Sequence, residues 1–112
     1  MSYSHLGKKL QPLRVSPGWS VDYNLFFEVD PGPENTEWFY GSSKFSASCQ
    51  RWKVAMELMF EPKADPNGVY ILAFYSWTSN AKDRICVGYV KSQSRLEMVD
   101  EIERFMHERT FQ

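Results

Sequence analysis

Cysteine and histidine are scarce in this chain, which has two of each: Cys49 and Cys86, His5 and His107. Neither cysteine has a Cys or His at metal-ligand spacing, so the signature of a zinc site is missing and no metal is expected. Both thiols fall in strand-like segments, and Met1 to Leu13 carries no apolar run of signal-peptide length. The expectation is a cytoplasmic protein with two reduced, partly buried thiols. No stretch approaches the roughly 20 apolar residues that span a bilayer, so no membrane partner is expected. Also absent are a glycine-rich phosphate loop, a His-Glu-x-x-His helix and a nucleophile elbow. His5 and His107 lie near opposite ends without a local motif. A pair of histidines with a lysine suits acid–base cleavage of RNA, which keeps a small His-dependent ribonuclease as a lesser alternative. The main expectation is no enzyme, no catalytic residue and no cofactor.

Cations of one stretch are missing too. From Val15 to Ser43 there is no Lys or Arg, while Asp22, Glu28, Asp30, Glu34 and Glu37 supply five negative charges. The net charge of −1 hides this block. Phosphate binding wants the opposite sign, so the block argues against nucleic acid as a partner and suits the steering of a basic one.

What is plentiful is aromatic surface. Four Trp, six Tyr and eight Phe make 16% of a 112-residue chain that is 43% hydrophobic. That length fits one domain, residues 1–112, with a single core. The ring surplus suits recognition, because large rigid side chains give contact area at little entropic cost.

Residues 1–18, punctuated by Pro12, Pro17 and Gly18, read as an arm or a short helical turn packed on the core. Trp19, Val21, Tyr23, Leu25, Phe27 and Val29 then alternate with Ser20, Asp22, Asn24, Phe26, Glu28 and Asp30. This period of two predicts one long strand whose first set is buried. A carboxylate at position 21 is therefore expected to unfold the domain. Pro31-Gly32-Pro33 ends the strand. Trp38 to Phe45 reads as a short strand or irregular crossing, and Gln50 to Phe60 as a strand burying Trp52, Val54, Met56, Leu58 and Phe60. Asp65-Pro66-Asn67-Gly68 is a turn, with Gly68 expected in the left-handed conformation. Val69 to Trp77 is apolar on both faces, so it is either covered twice or exposes an aromatic patch. Ile85 to Val90 makes a last strand. Ser94 and Glu97 form a capping box for a helix over 94–109, with Leu96, Val99, Ile102 and Met106 as its apolar stripe. The expected fold is α+β: an antiparallel β-sheet meander of four to five strands over residues 19–91, packed against a C-terminal α-helix.

Several fragments in this order resemble a family of bacterial immunity proteins that sit beside polymorphic toxins, including those of contact-dependent growth inhibition. They are Gly18-Trp19, Tyr23-Asn24, Phe27-Glu28-Val29-Asp30-Pro31 and Asp65-Pro66-Asn67-Gly68-Val69-Tyr70-Ile71-Leu72, spanning roughly residues 18–72. One departure is Glu57-Leu58-Met59-Phe60-Glu61-Pro62, which keeps the acid, leucine, aromatic and proline of the family pattern but lacks its glycine. The resemblance implies an inhibitor that binds the toxic C-terminal domain of a cognate effector. Many such toxins are nucleases with basic substrate sites.

The expected partner-binding residues are Asp22, Phe26, Glu28, Asp30, Glu34, Glu37, Trp38 and Phe39: acids to meet a basic partner, rings to anchor it. A monomer is expected in the complex. An alternative class, a single-stranded RNA-binding sheet module, would use aromatic strands with Lys53 and Lys91 nearby.

Overall fold

The computed structural model describes residues 9–110. His5, Leu6 and the rest of residues 1–8 of the expected arm lie outside the described residues. Five strands, β1 (Ser20–Asn24), β2 (Ser43–Cys49), β3 (Val54–Glu61), β4 (Val69–Ser76) and β5 (Ile85–Ser92), are followed by helix α1 (Arg95–Glu108). The strands form one antiparallel sheet in the order β1-β2-β3-β4-β5. This is the expected α+β meander with a C-terminal helix.

Period-two patterning explains the middle of the sheet. Phe45, Ala47 and Cys49 on β2, Val54, Met56, Leu58 and Phe60 on β3, and Tyr70, Leu72 and Phe74 on β4 are all buried. They meet Met98, Ile102, Phe105 and Met106 of α1 in one core. Burial of this apolar surface is what holds helix to sheet. Half of the expected capping box forms: the Ser94 hydroxyl accepts a hydrogen bond from the Glu97 backbone N–H at 3.1 Å, whereas the Ser94 N–H donates to the Ser92 hydroxyl at 2.9 Å rather than to the Glu97 side chain. Its buried stripe, however, runs through Met98, Ile102, Phe105 and Met106, while Leu96 stands exposed in the first turn.

The long first strand is corrected. Pairing between β1 and β2 slips between Val21 and Tyr23, and β1 stops at Asn24. The Asn24 side chain accepts a hydrogen bond from the Phe26 backbone N–H at 3.0 Å and turns the chain there. At the turn the alternation is reversed for one pair, with Phe26 buried and Leu25 exposed. Val21 is 42% exposed, so a carboxylate there reaches solvent and the expected unfolding is withdrawn. Trp19 and Val29 are buried as expected, Trp19 by donating its indole N–H to the Met106 carbonyl at 2.8 Å.

Other boundaries shift for local reasons. The Lys53 N–H bonds to the Gln50 carbonyl at 3.3 Å, making residues 50–53 a turn that puts Trp52 outside at 52% exposure. Trp38 and Phe39 belong to a 3-10 segment, Pro33–Phe39, rather than to a strand. The 65–68 turn forms, closed by the Gly68 N–H on the Asp65 carbonyl at 2.9 Å and by the Asn67 N–H on the Asp65 carboxylate at 2.8 Å. Gly68 is nevertheless not left-handed. It is needed for close approach, since a Cβ there would stand 2.5 Å from a ring carbon of Phe60.

Candidate protein-binding surface

The acidic block stays outside, but its rings do not. Asp22 on β1 accepts a hydrogen bond from the Ser48 hydroxyl at 3.0 Å. Glu28 and Glu34 are exposed and Glu37 is half-buried. Asp30 is exposed and pairs with Arg95 at 2.9 Å, where the other end of the guanidinium donates to Gln11 Oε1. Phe26, Trp38 and Phe39, expected as surface anchors, are instead core residues at 1%, 5% and 4% exposure. Phe26 meets Tyr70 edge-on at 5.6 Å between ring centroids, and Phe39 packs on Phe60 at 4.5 Å. Trp38 meets Phe27 at 5.0 Å. The cause is tertiary: the 3-10 segment folds inward and brings its two rings onto the strand ends. Beneath it Lys44 is buried, donating Nζ to the Trp38 carbonyl at 2.5 Å and lying 4.9 Å from the centre of the Phe39 ring. Burial lowers its pKa from the ordinary lysine value.

Outside the turns, exposed rings gather on the face of the sheet turned away from α1. Register places Tyr23, Ser46, Glu57, Ala73 and Tyr89 in one row across all five strands. A second row reads Ser20, Ser48, Ala55, Tyr75 and Cys86, and Met59, Ile71 and Lys91 begin a third. The two alanines form the floor, shielded by taller neighbours, whereas Tyr89 at 57% exposure stands clear. The result is a shallow surface floored by serine and alanine and walled by tyrosine.

Its charge is arranged around those rings. The Arg84 guanidinium lies 4.4 Å from the centre of the Tyr75 ring, and Lys91 Nζ lies 5.4 Å from that of Tyr89. Burial raises the Tyr75 pKa, and the neighbouring Glu57 and Cys86 raise it further against Arg84. Glu57 itself is half-buried in the centre row and has no hydrogen bond or ion pair among the described residues.

Tyr75 could have been found from sequence, because β4 is apolar on both faces and one covering helix leaves one face open. Tyr23 could not, since its alternation with Trp19 and Val21 points inward until the slip is known. Both cysteines are free, Cys49 buried and Cys86 exposed rather than partly buried. Among the described residues no group of three His, Cys, Asp or Glu side chains could hold a metal ion, and no helix is long and apolar enough to cross a membrane. Comparisons with known protein families, with curated proteins and with solved structures gave no match in any of the three.

Proposed function

We propose that this chain is an immunity-type inhibitor that binds a bacterial toxin domain in the cytoplasm of the cell that makes it, and that the toxin docks on the open face of the sheet. The observation that carries this reading is Glu57, a half-buried carboxylate in the middle of a tyrosine-walled surface with no cation of its own among the described residues. A basic side chain brought by a partner would neutralise it, and water displaced from between the rings would strengthen the attraction. Tyr23, Tyr75 and Tyr89 offer rigid area that loses few rotamers on contact. Glu28 and Glu34, exposed beyond the sheet, would steer a basic partner inward. The resemblance to immunity proteins supplies the partner class, and nuclease toxins with basic substrate sites have the required charge.

The test uses the terminal toxin domain of the effector encoded beside this chain, expressed to arrest growth. The parent chain is expected to restore growth. Glu57→Lys is expected to bind at least ~10-fold more weakly, through faster dissociation, with its fold intact by circular dichroism. Glu28→Lys combined with Glu34→Lys is expected to slow association and flatten its salt dependence. Growth arrest untouched by the parent chain would end the inhibitor reading, and Glu57→Lys binding as tightly as the parent would move the interface off the open face.

One arrangement favours a second reading. Tyr75 and Tyr89 carry Arg84 and Lys91 on their rings, as a stacking platform for single-stranded RNA would. Glu57 in their midst would repel the phosphates. Salt-dependent binding of a short RNA, lost in Tyr89→Ala, would establish the platform instead.

A further inference from the structure

The end of the sheet nearest the C-terminus of α1 carries a second set of unusual features. A cavity of about 300 Å³ opens there, lined by Pro17, Gly18, Cys49, Arg51, Trp52 and Arg109. Two arginines thus line one cavity from different elements, Arg51 from the turn before β3 and Arg109 as the residue that caps α1. No carboxylate lines it among the described residues. Glu108, next in sequence to Arg109, is held by Arg104 at 3.3 Å. Arg51 makes no hydrogen bond or ion pair among the described residues.

Arg109 occupies a position that helices usually give to glycine. It ends α1 in the left-handed conformation, φ 63° and ψ 19°, with its N–H on the Phe105 carbonyl at 2.7 Å. Glycine would make the same bond without the Cβ penalty. What arginine adds is a side chain laid over the exposed Trp52 ring, 4.2 Å from its centre. A backbone outlier that carries a cation to a cavity edge is a pointer to function.

We infer that this cavity is a binding site for the phosphate of a small phosphate monoester, held by Arg51 and Arg109 beside the Trp52 indole. Two positive charges balance a phosphate dianion, whereas a carboxylate would leave one unmatched. Guanidiniums present paired donors that suit its oxygens. Pro17, the buried Cys49 and Trp52 give the rest of the ligand an apolar wall. The site is separate from the open sheet face and does not depend on toxin binding.

The test follows the Trp52 indole N–H by NMR in the full chain during titration with adenosine monophosphate, inorganic phosphate, adenosine and acetate. Saturable shifts are expected with the two phosphates and not with adenosine or acetate. Arg109→Gly is expected to weaken adenosine monophosphate binding about 10-fold or more, as is Arg51→Ala. Arg109→Gly should melt at or above the parent temperature, because glycine relieves the left-handed cap. That separates loss of a ligand contact from loss of fold. Adenosine or acetate shifting the indole as the phosphates do, no saturable shift with either phosphate, or unchanged affinity in Arg109→Gly would each overturn the site.

Discussion

Alternate residues of the same strands build the two faces of this sheet, and the two are chemically unlike. On β4, Tyr70, Leu72 and Phe74 are fully buried under α1, whereas Ile71 and Tyr75 beside them are half-exposed. The covered face is nearly all large and apolar. The open face combines small floor residues, tyrosine walls and the carboxylate of Glu57, which has no ion pair among the described residues. A solvated sheet face is usually dominated by polar side chains, and here several large rings stand among them. The difference assigns stability to one face and leaves the other free for recognition. Phe74→Ala against Tyr89→Ala should bring that out most strongly. Phe74 packs on Phe105 at 4.5 Å in the core, and its truncation is expected to cost about 3–5 kcal/mol by denaturant unfolding. Tyr89→Ala should stay within about 1 kcal/mol. Equal losses would show that the open face is structural.

How much of this was legible in the sequence depends on how local the signal is. The Ser94 cap, the Asp65 turn and the alternation of β3 and β4 involve neighbours in the chain, and each is found where the pattern puts it. The first strand misleads because its alternation from Trp19 to Val29 runs through a slip at Val21 and a turn at Asn24 that only the pairing with β2 creates. Phe26, Trp38 and Phe39 were legible as rings but not as core, since their burial needs the 3-10 segment to close over Phe60 and Tyr70, distant in sequence. The acids of the same block were legible because charge stays outside wherever the backbone goes. Glu57 fell on the predicted polar face of its strand, but the tyrosines around it come from β1, β4 and β5, which no spacing reveals.

Polar groups inside the covered face sharpen the comparison. Lys44 is the charged one, and its lowered pKa means that the unfolded chain binds more protons than the folded one between the folded value and the ordinary 10.5. Stability from this group therefore rises as pH climbs through that window and is reduced below it. Lys44→Met removes the buried charge and the bond to the Trp38 carbonyl together, so at pH 7 the net change should be within about 2 kcal/mol. The stability of the parent relative to Lys44→Met should increase as pH rises towards 10.5, measured as the difference between their unfolding free energies. A difference that stayed constant with pH would mean that Lys44 titrates normally and is not held in the core.

Tyr70 is the neutral one, and the smallest effect is expected there. Its hydroxyl is buried with no hydrogen-bond partner among the described residues, although the ring packs edge-on against Phe26, Phe39 and Phe60. A buried hydroxyl without a partner costs about 1–3 kcal/mol, and phenylalanine keeps the ring contacts while removing that cost. Tyr70→Phe should thus be neutral or stabilising, by up to about 1 kcal/mol after the hydration regained in the unfolded chain is counted. The sign with pH is opposite to that of Lys44. Burial pushes the phenol well above its ordinary 10.0, so the folded chain keeps a proton that the unfolded chain releases. Stability from Tyr70 is present below pH 10 and falls as pH rises above it, and that alkaline loss should be smaller in Tyr70→Phe. Urea unfolding of the two proteins at neutral pH and above 10 reads both effects. A Tyr70→Phe chain less stable by about 1.5 kcal/mol or more would mean that the hydroxyl is bonded in solution, and that the covered face relies on a polar contact there.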